Sequence, residues 1–373
     1  MKIHIHTPSF FPKLVGMTYA TDAHARILTD LGADVTVWVS NQEDCYAGPS
    51  QPYAIRCSNI SGSGLPWSRL KGDINCVLRI AEKSKPHIIL TEGWYTPATL
   101  LLPRLRAFCR HAVLASHGSA DVTRHNLTAS ELVRTSAYRF AEKFSRRKIL
   151  DSLSAAVILS NYQQNVRFAD IADYRRYNIP TFVCPNFSIY KPEPIPRKLG
   201  TSRHLVHIGE MHRNKNQQFG VTVLSKLPDT YDLTFIYPQE TTYSVHIKNL
   251  VRQQGLEKRV KYIVGKCREE LDILMDNFDL LLILSYSEAQ PIVAVDATAK
   301  GIPFVSKNVG CMTEFSGGII STEKNFAMSI QRIFESNISY SKYSESALKY
   351  YTQQLSEGVA RKSMSSMIDA LRI

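Results

Sequence analysis

The chain has 373 residues, 44% of them hydrophobic, with 45 Lys and Arg against 33 Asp and Glu for a formal net charge of +12. That apolar fraction suffices for ordinary cores and excludes a disordered chain, the length suits two or three domains, and no apolar run reaches the roughly 18 residues that a membrane span needs. The charge favours nucleic acid, anionic membrane or phosphorylated partners. Zinc-finger spacing and an aromatic-basic RNA-recognition signature are both missing, so nucleic acid is set aside. An anionic lipid surface or a pyrophosphate-linked acceptor remains, beside a basic surface with no special partner.

The elements follow in chain order. Met1 to Pro8 is too polar for a signal peptide and reads as a first strand, Ile3-His4-Ile5, in a cytoplasmic protein. A helix is expected around Thr18–Leu31, then strands at Asp34–Val39, His87–Leu90, Ala112–Ala115 and Ala155–Leu159. Gln42 to Leu70 is rich in Ser, Gly and Pro and reads as irregular loop. Arg134–Ser152 mixes Tyr138, Phe140 and Phe144 with Arg139, Lys143, Arg146, Arg147 and Lys148; it fits docking on anionic lipid or a scaffold helix with a solvated basic face. A Pro-rich linker is expected at Asn186–Ser202, with Pro192, Pro194, Pro196 and Gly200. The alternation then restarts, with strands at Leu205–Ile208, Leu233–Tyr237, Val260–Ile263, Leu280–Leu284 and Phe304–Val305. Ser344 to Ile373 has a helical period. Strands alternating with helices predict parallel, doubly wound sheets. The seven scattered cysteines, without a Cys-x-x-Cys pair, fit reduced thiols rather than a disulfide framework or a zinc site.

The segment richest in chemistry is Glu288-Ala289-Gln290-Pro291-Ile292-Val293-Ala294-Val295-Asp296. Glu288 follows an apolar strand, and Asp296 lies within an Ala/Val-rich helix expected to begin near Pro291, a residue suited to a first helical turn. Both acids can face the crevice beyond the carboxyl ends of the strands, where α/β sheets bind ligands. The free amides of that helix's first turn suit an anion. Sugar hydroxyls for the acids and phosphate for the amides describe a nucleotide-sugar.

This pattern resembles the acid-x7-acid motif of family 4 glycosyltransferases, retaining enzymes of the GT-B fold. Further landmarks recur in the family's order: Gly16 after the first strand, Ser116-His117-Gly118 and Ser160 at later strand ends, Pro185-Asn186 before the linker, and Gly209 and Lys215 after Leu205–Ile208. The resemblance implies two Rossmann-like doubly wound domains facing each other across a cleft. Residues 1–186, joined by the C-terminal helix at about 350–373, would form the acceptor side, and 187–349 the donor side. It implies that Glu288 contacts the donor sugar, Asp296 the nucleotide ribose, and His117 the sugar or phosphate. Lys215, with Arg213, would stabilise the pyrophosphate, and Gly16 would let backbone approach the phosphates. Asp121 and Glu314 are weaker candidates for the same site. Catalysis is expected of Glu288, His117 and Lys215, and donor binding of Gly16, Gly209, Arg213, Lys215, Glu288, Pro291, Ile292, Val293 and Asp296.

Two positions depart from the family pattern. Glu210 stands where an Arg usually follows the glycine, and Gly16 is followed by Met17 rather than a second glycine. Glu210 is expected to turn from the donor or to pair with Arg213 or Lys215, because like charges beside a pyrophosphate repel. The Asp-x-Asp metal motif of GT-A enzymes, a P-loop and a Gly-x-Ser-x-Gly elbow are absent, and Gly62-Ser63-Gly64 completes no dinucleotide fingerprint. The expected activity is metal-independent transfer of a hexose or N-acetylhexosamine from a nucleoside diphosphate sugar to a glycan or lipid-linked hydroxyl. It would serve surface polysaccharide or glycolipid assembly, in the cytoplasm or peripherally on the inner face of the cell membrane. The alternatives are a GT-B-like binding or scaffold protein and a nucleotide-sugar hydrolase or epimerase.

Overall fold

The computed structural model describes residues 1–11, 16–41, 51–62, 69–118, 144–161 and 168–372. The chain divides into two compact units, Met1–Pro185 with Ala360–Ile373, and Asn186–Val359.

The first unit is built on seven strands in the spatial order Ala54–Cys57, Asp34–Val39, Lys2–Thr7, Ile88–Glu92, His111–Ala115, Ala155–Ile158 and Thr181–Val183. Every pairing is parallel. Parallel strands require crossovers, which the helices Gly16–Asp30, Ile74–Ser84 and Pro97–Leu105 supply. Helices over a sheet bury its faces, so the central strands read as apolar runs. Ile88, Ile89 and Leu90 and Ala112, Val113 and Leu114 are fully buried.

The second unit repeats the plan with six parallel strands in the order Val260–Val264, Asp232–Tyr237, His204–Ile208, Leu280–Ile283, Phe304–Ser306 and Gly318–Ile320. Its core packs Leu205, Leu233, Phe235, Leu280 and Leu282 against helix residues Val221, Ile247 and Ile330. Helix Gln217–Leu224 approaches the sheet closely at Gly220, where a side chain would meet Leu284 Cδ1 at 2.8 Å. Numbered along the chain within each sheet, the second runs 3-2-1-4-5-6, the doubly wound order, and the first runs the same order with a seventh strand beside the sixth, so the predicted fold class of two Rossmann-like halves is found.

Five of the described strands escaped the sequence reading. Ala54–Cys57 and Ile60–Ser61 fall within the stretch expected to be irregular, Lys71–Gly72 pairs with Ile60–Ser61 just beyond it, and Thr181–Val183 and Gly318–Ile320 are edge strands of three residues. Each is too short, or too exposed, to show an apolar run: Ala54, Arg56 and Cys57 are all exposed. Cys57 is disulfide-bonded, which corrects the expectation of uniformly reduced thiols; Cys76, Cys109, Cys184, Cys267 and Cys311 are free. Among the described residues no helix is long and apolar enough to cross a membrane.

Candidate functional site

In a doubly wound sheet the crevice opens where the chain leaves strands 1 and 4 in opposite directions. In the second unit those strands are His204–Ile208 and Leu280–Ile283. Gly209 and Lys215 follow the first, and Glu288 follows the second.

Hydrogen bonds bind the two exit loops together. Asn214 Nδ2 donates to the Ser287 carbonyl at 2.9 Å, Tyr286 N donates to the Asn214 carbonyl at 2.8 Å, and Asn216 Nδ2 donates to the Leu284 carbonyl at 3.3 Å. Asn216 takes a left-handed conformation, φ +55°, between the short turn Arg213–Lys215 and helix Gln217–Leu224. Asn tolerates that conformation better than most residues. Lys215 is thereby folded back over Gly209, so that a Cβ at Gly209 would meet its stem at 3.5 Å. Its ammonium reaches Glu288 Oε1 at 2.6 Å, and Ser285 Oγ donates to the same oxygen at 2.6 Å. The side chains keep 27% and 13% of their surface, so both groups remain reachable by a ligand.

The Glu288 loop is held from below. Gly310, φ +53°, packs so closely that a Cβ would lie 1.9 Å from the Ala289 carbonyl, and Cys311 N donates to that oxygen at 3.0 Å. Asn186 N donates to Gln290 Oε1 at 2.7 Å, tying the start of the unit to the same loop. Helix Ile292–Ala299 begins after Pro291, whose extended backbone (φ −64°, ψ 119°) makes it the cap rather than a first-turn residue. Ile292 and Val293 sit half-buried in the first turn, whose amides lack partners within the helix.

Asp296 is elsewhere in character. It is 2% exposed, and its carboxylate is taken by Arg268 Nη2 at 2.7 and 2.8 Å and by Ser188 Oγ at 2.7 Å. Burial raises its pKa, and the Arg268 charge works against that rise. A ribose hydroxyl would have to displace Ser188 or Arg268 to reach it. Arg213 is exposed, and Glu210 forms no ion pair with Arg213 or Lys215; Lys215 is committed to Glu288 instead. Glu314 is exposed in the turn Met312–Glu314.

In the first unit the switch point lies between Lys2–Thr7 and Ile88–Glu92. Gly16 opens the helix after the first of these and is exposed. His117 follows strand His111–Ala115 at φ +51°, a left-handed conformation that costs a non-glycine residue roughly 1–2 kcal/mol. The turn is fixed by its neighbour: Ser116 Oγ bonds the buried Asp170 carboxylate, which also accepts from Trp94 Nε1 at 2.8 Å and Tyr174 OH at 3.0 Å. His117 Nε2 meets Glu92 Oε2, and His24 Nδ1 meets Glu92 Oε1 at 3.0 Å. Asp121 and the segment 134–143 with Tyr138, Arg139, Phe140 and Lys143 lie outside the described residues.

Sequence reasoning missed Ser285, Arg268, His207, His24 and Glu92. Glu92 carried a signal, since it closes the apolar strand Ile88–Glu92 as Glu288 follows Leu280–Ile283. His207 had none: a lone His in a strand, it is buried, Nδ1 facing the Leu282 carbonyl at 3.0 Å, and burial drives its pKa down to about 4.

The chemistry of the second unit is that of a carboxylate and an ammonium beside open helix amides, able to take hydroxyls and phosphate oxygens respectively. Residues 193–350 match the family model of glycosyl transferases, group 1. That segment lies wholly within the second unit and contains Lys215, Glu288 and Asp296. No curated protein matches the chain in sequence. Among solved structures, sucrose-phosphate synthase from Thermosynechococcus elongatus is 16% identical over 100% of this chain and 99% of that one, with a TM-score of 0.77. HepE from Anabaena, in complex with UDP-glucose, is 15% identical over 99% and 100%, with a TM-score of 0.73. The lipopolysaccharide outer core galactosyltransferase WaaB is 14% identical over 99% of each chain, with a TM-score of 0.69. These likenesses establish the GT-B fold, and the segment that matches the group 1 model holds the Lys215–Glu288 pair.

Removing Arg268 leaves Asp296 buried without its cation, a change that typically costs roughly 3–5 kcal/mol. Arg268→Ala is therefore expected to lower the urea midpoint of the second unit strongly; a loss under about 1 kcal/mol, the level of a surface pair, would reject this structural role.

The buried pair in the first unit makes stability pH-dependent. For His24, burial lowers the pKa, but the Glu92 charge and hydrogen bonds to Cys184 and Glu92 outweigh it and raise the value to about 10. For Glu92, burial raises the pKa, but the His24 charge and hydrogen bonds from His117 and His24 bring it to about 2. The His24 contribution is full below the unfolded histidine pKa near 6.5 and fades as pH rises toward 10. The Glu92 contribution is full above the unfolded carboxyl pKa and fades as pH falls toward 2. The stability gap between wild type and His24→Gln, followed by chemical denaturation, is expected to be widest between about pH 4.5 and 6.5. A gap that grows from pH 7 to pH 9 would contradict the pairing.

Proposed function

We propose that the protein is a family 4 retaining glycosyltransferase. It moves a hexose or N-acetylhexosamine from a nucleoside diphosphate sugar to a hydroxyl of a glycan or lipid-linked acceptor. The setting would be surface polysaccharide or glycolipid assembly, in the cytoplasm or on the inner face of the cell membrane. The observation that carries this reading is the Lys215–Glu288 contact at the switch point of the group 1 domain. UDP-glucose in the similar HepE structure supports a donor of this class.

With donor bound, Lys215 exchanges Glu288 for a phosphate oxygen, and Glu288 turns both oxygens to sugar hydroxyls. Ser285 keeps the carboxylate oriented. The acceptor oxygen attacks the anomeric carbon from the face that the phosphate leaves, the carbon–phosphate-oxygen bond breaks, and the departing phosphate oxygen takes the acceptor proton. Lys215, Arg213 and the amides of Ile292 and Val293 stabilise the charge that develops on the leaving group. Net configuration is retained without a protein nucleophile. A second reading, a binding protein with little turnover, draws on Glu210, an exposed acid where the family carries Arg. Donor consumption measured with and without acceptor separates transfer, hydrolysis and mere binding.

Glu288→Ala is expected to lose roughly 2–3 kcal/mol of transition-state stabilisation, about 30- to 150-fold in transfer. Calorimetry with the free nucleoside diphosphate should show nearly unchanged affinity. Full activity in this variant would reject the assignment.

Basic groups and amides suffice for the leaving phosphates in this scheme, so EDTA is expected to leave turnover intact. Loss of activity restored by manganese would overturn the metal-independent reading.

A further inference from the structure

Glu92 is fully buried at the end of its strand, and its two oxygens are divided between two imidazoles. His24, from the helix Gly16–Asp30, takes Oε1 at 3.0 Å and is itself buried. His117, from the turn after His111–Ala115, takes Oε2 and keeps 13% of its side-chain surface. The two rings are stacked, 5.9 Å apart and 22° from parallel. Among the described residues His117 Nδ1 has no hydrogen-bond partner, and it is not a buried orphan. Three elements thus converge on one carboxylate, and only one of the two rings keeps an edge in reach of solvent.

An ionised carboxylate only accepts hydrogen bonds, and a neutral imidazole donates through one nitrogen and accepts through the other. A buried carboxylate also needs a cation, or desolvation would neutralise it. His24 is placed to be that cation, because its Nδ1 faces Glu92 and its ring is closed off from water. Glu92 and His24 together are then uncharged, and the second carboxylate oxygen is left to accept from His117 Nε2.

We infer that Glu92 is a positioning residue that fixes the proton of His117 on Nε2, with His24 as its buried counter-ion, so that His117 presents Nδ1 as a bare hydrogen-bond acceptor. An acceptor nitrogen suits a sugar hydroxyl and does not suit a phosphate oxygen, which has no proton to give. The functional consequence rests on the reading of His117 as a donor-sugar contact; the proton placement does not. The same three side chains bring ligand atoms within 4.8 Å of one another, as a metal site would. Each carboxylate oxygen nevertheless faces one ring nitrogen, an arrangement of two charge-assisted hydrogen bonds.

The test is long-range proton–nitrogen correlation NMR on protein labelled with ¹⁵N-histidine, with His117→Gln to assign the ring. The expected wild-type spectrum shows His117 protonated at Nε2 and bare at Nδ1. Glu92→Gln offers both a donor and an acceptor, so a mixture of tautomers should appear while the unfolding transition confirms a folded protein. Glu92→Asp, still an anion, should restore the single form. A wild-type ring protonated at Nδ1, or a folded Glu92→Gln with an unchanged tautomer, would overturn the inference. So would a stoichiometric metal in the purified protein with both rings shifted by it. Should Glu92→Gln fail to fold, the wild-type spectrum alone decides. No substrate enters the measurement, so a failure here is distinct from a failure of the glycosyl-transfer reading.

Discussion

The constraint on which the rest depends is the doubly wound parallel sheet. A parallel sheet sends every strand's carboxyl end to the same side, and its crossovers reverse direction between strands 1 and 4. The reversal leaves a crevice that helices do not cover. In the second unit it receives the loops after Ile208 and Ile283, and so brings Lys215 to within 2.6 Å of Glu288 across 73 positions of chain. In the first unit the same point gathers His24, Glu92 and His117.

Both crevices solve the same electrostatic problem. A carboxylate at a strand tip is partly or wholly removed from water and is destabilised unless a cation or donor meets it. Glu288 has Lys215 and Ser285; Glu92 has two imidazoles. The difference lies in burial. Glu288 and Lys215 stay partly exposed, so their contact can be exchanged for a ligand. Glu92 is sealed, so its interactions act on the neighbouring ring instead. Asp296 shows the third outcome, an acid drawn into the interior and held by Arg268 and Ser188.

Much of the fold is legible in the amino-acid sequence. Long apolar runs such as Ile88–Leu90 and Leu280–Ile283, each followed by a helical stretch, mark central parallel strands, because such strands are covered on both faces. Short edge strands such as Ala54–Cys57 and Gly318–Ile320 were not legible, since an edge strand of three or four residues has too few buried positions to set a pattern. The acid-x7-acid spacing singled out Glu288 and, with the landmarks around it, Lys215.

By itself the sequence determined the alternation of strands and helices, hence the doubly wound sheets, because period and apolar run length are local properties of the chain. It also placed Glu288 beyond a strand tip, since a strand's end can be read from where its apolar run stops. Only the tertiary structure decided which distant groups meet. That Asp296 faces Arg268 rather than open solvent, and that Glu92 joins His24 to His117, depends on helix rotation and strand order. A single charged residue carries no mark of the partner that folding brings to it, because the partner is set by packing over long sequence separations and not by its neighbours in the chain.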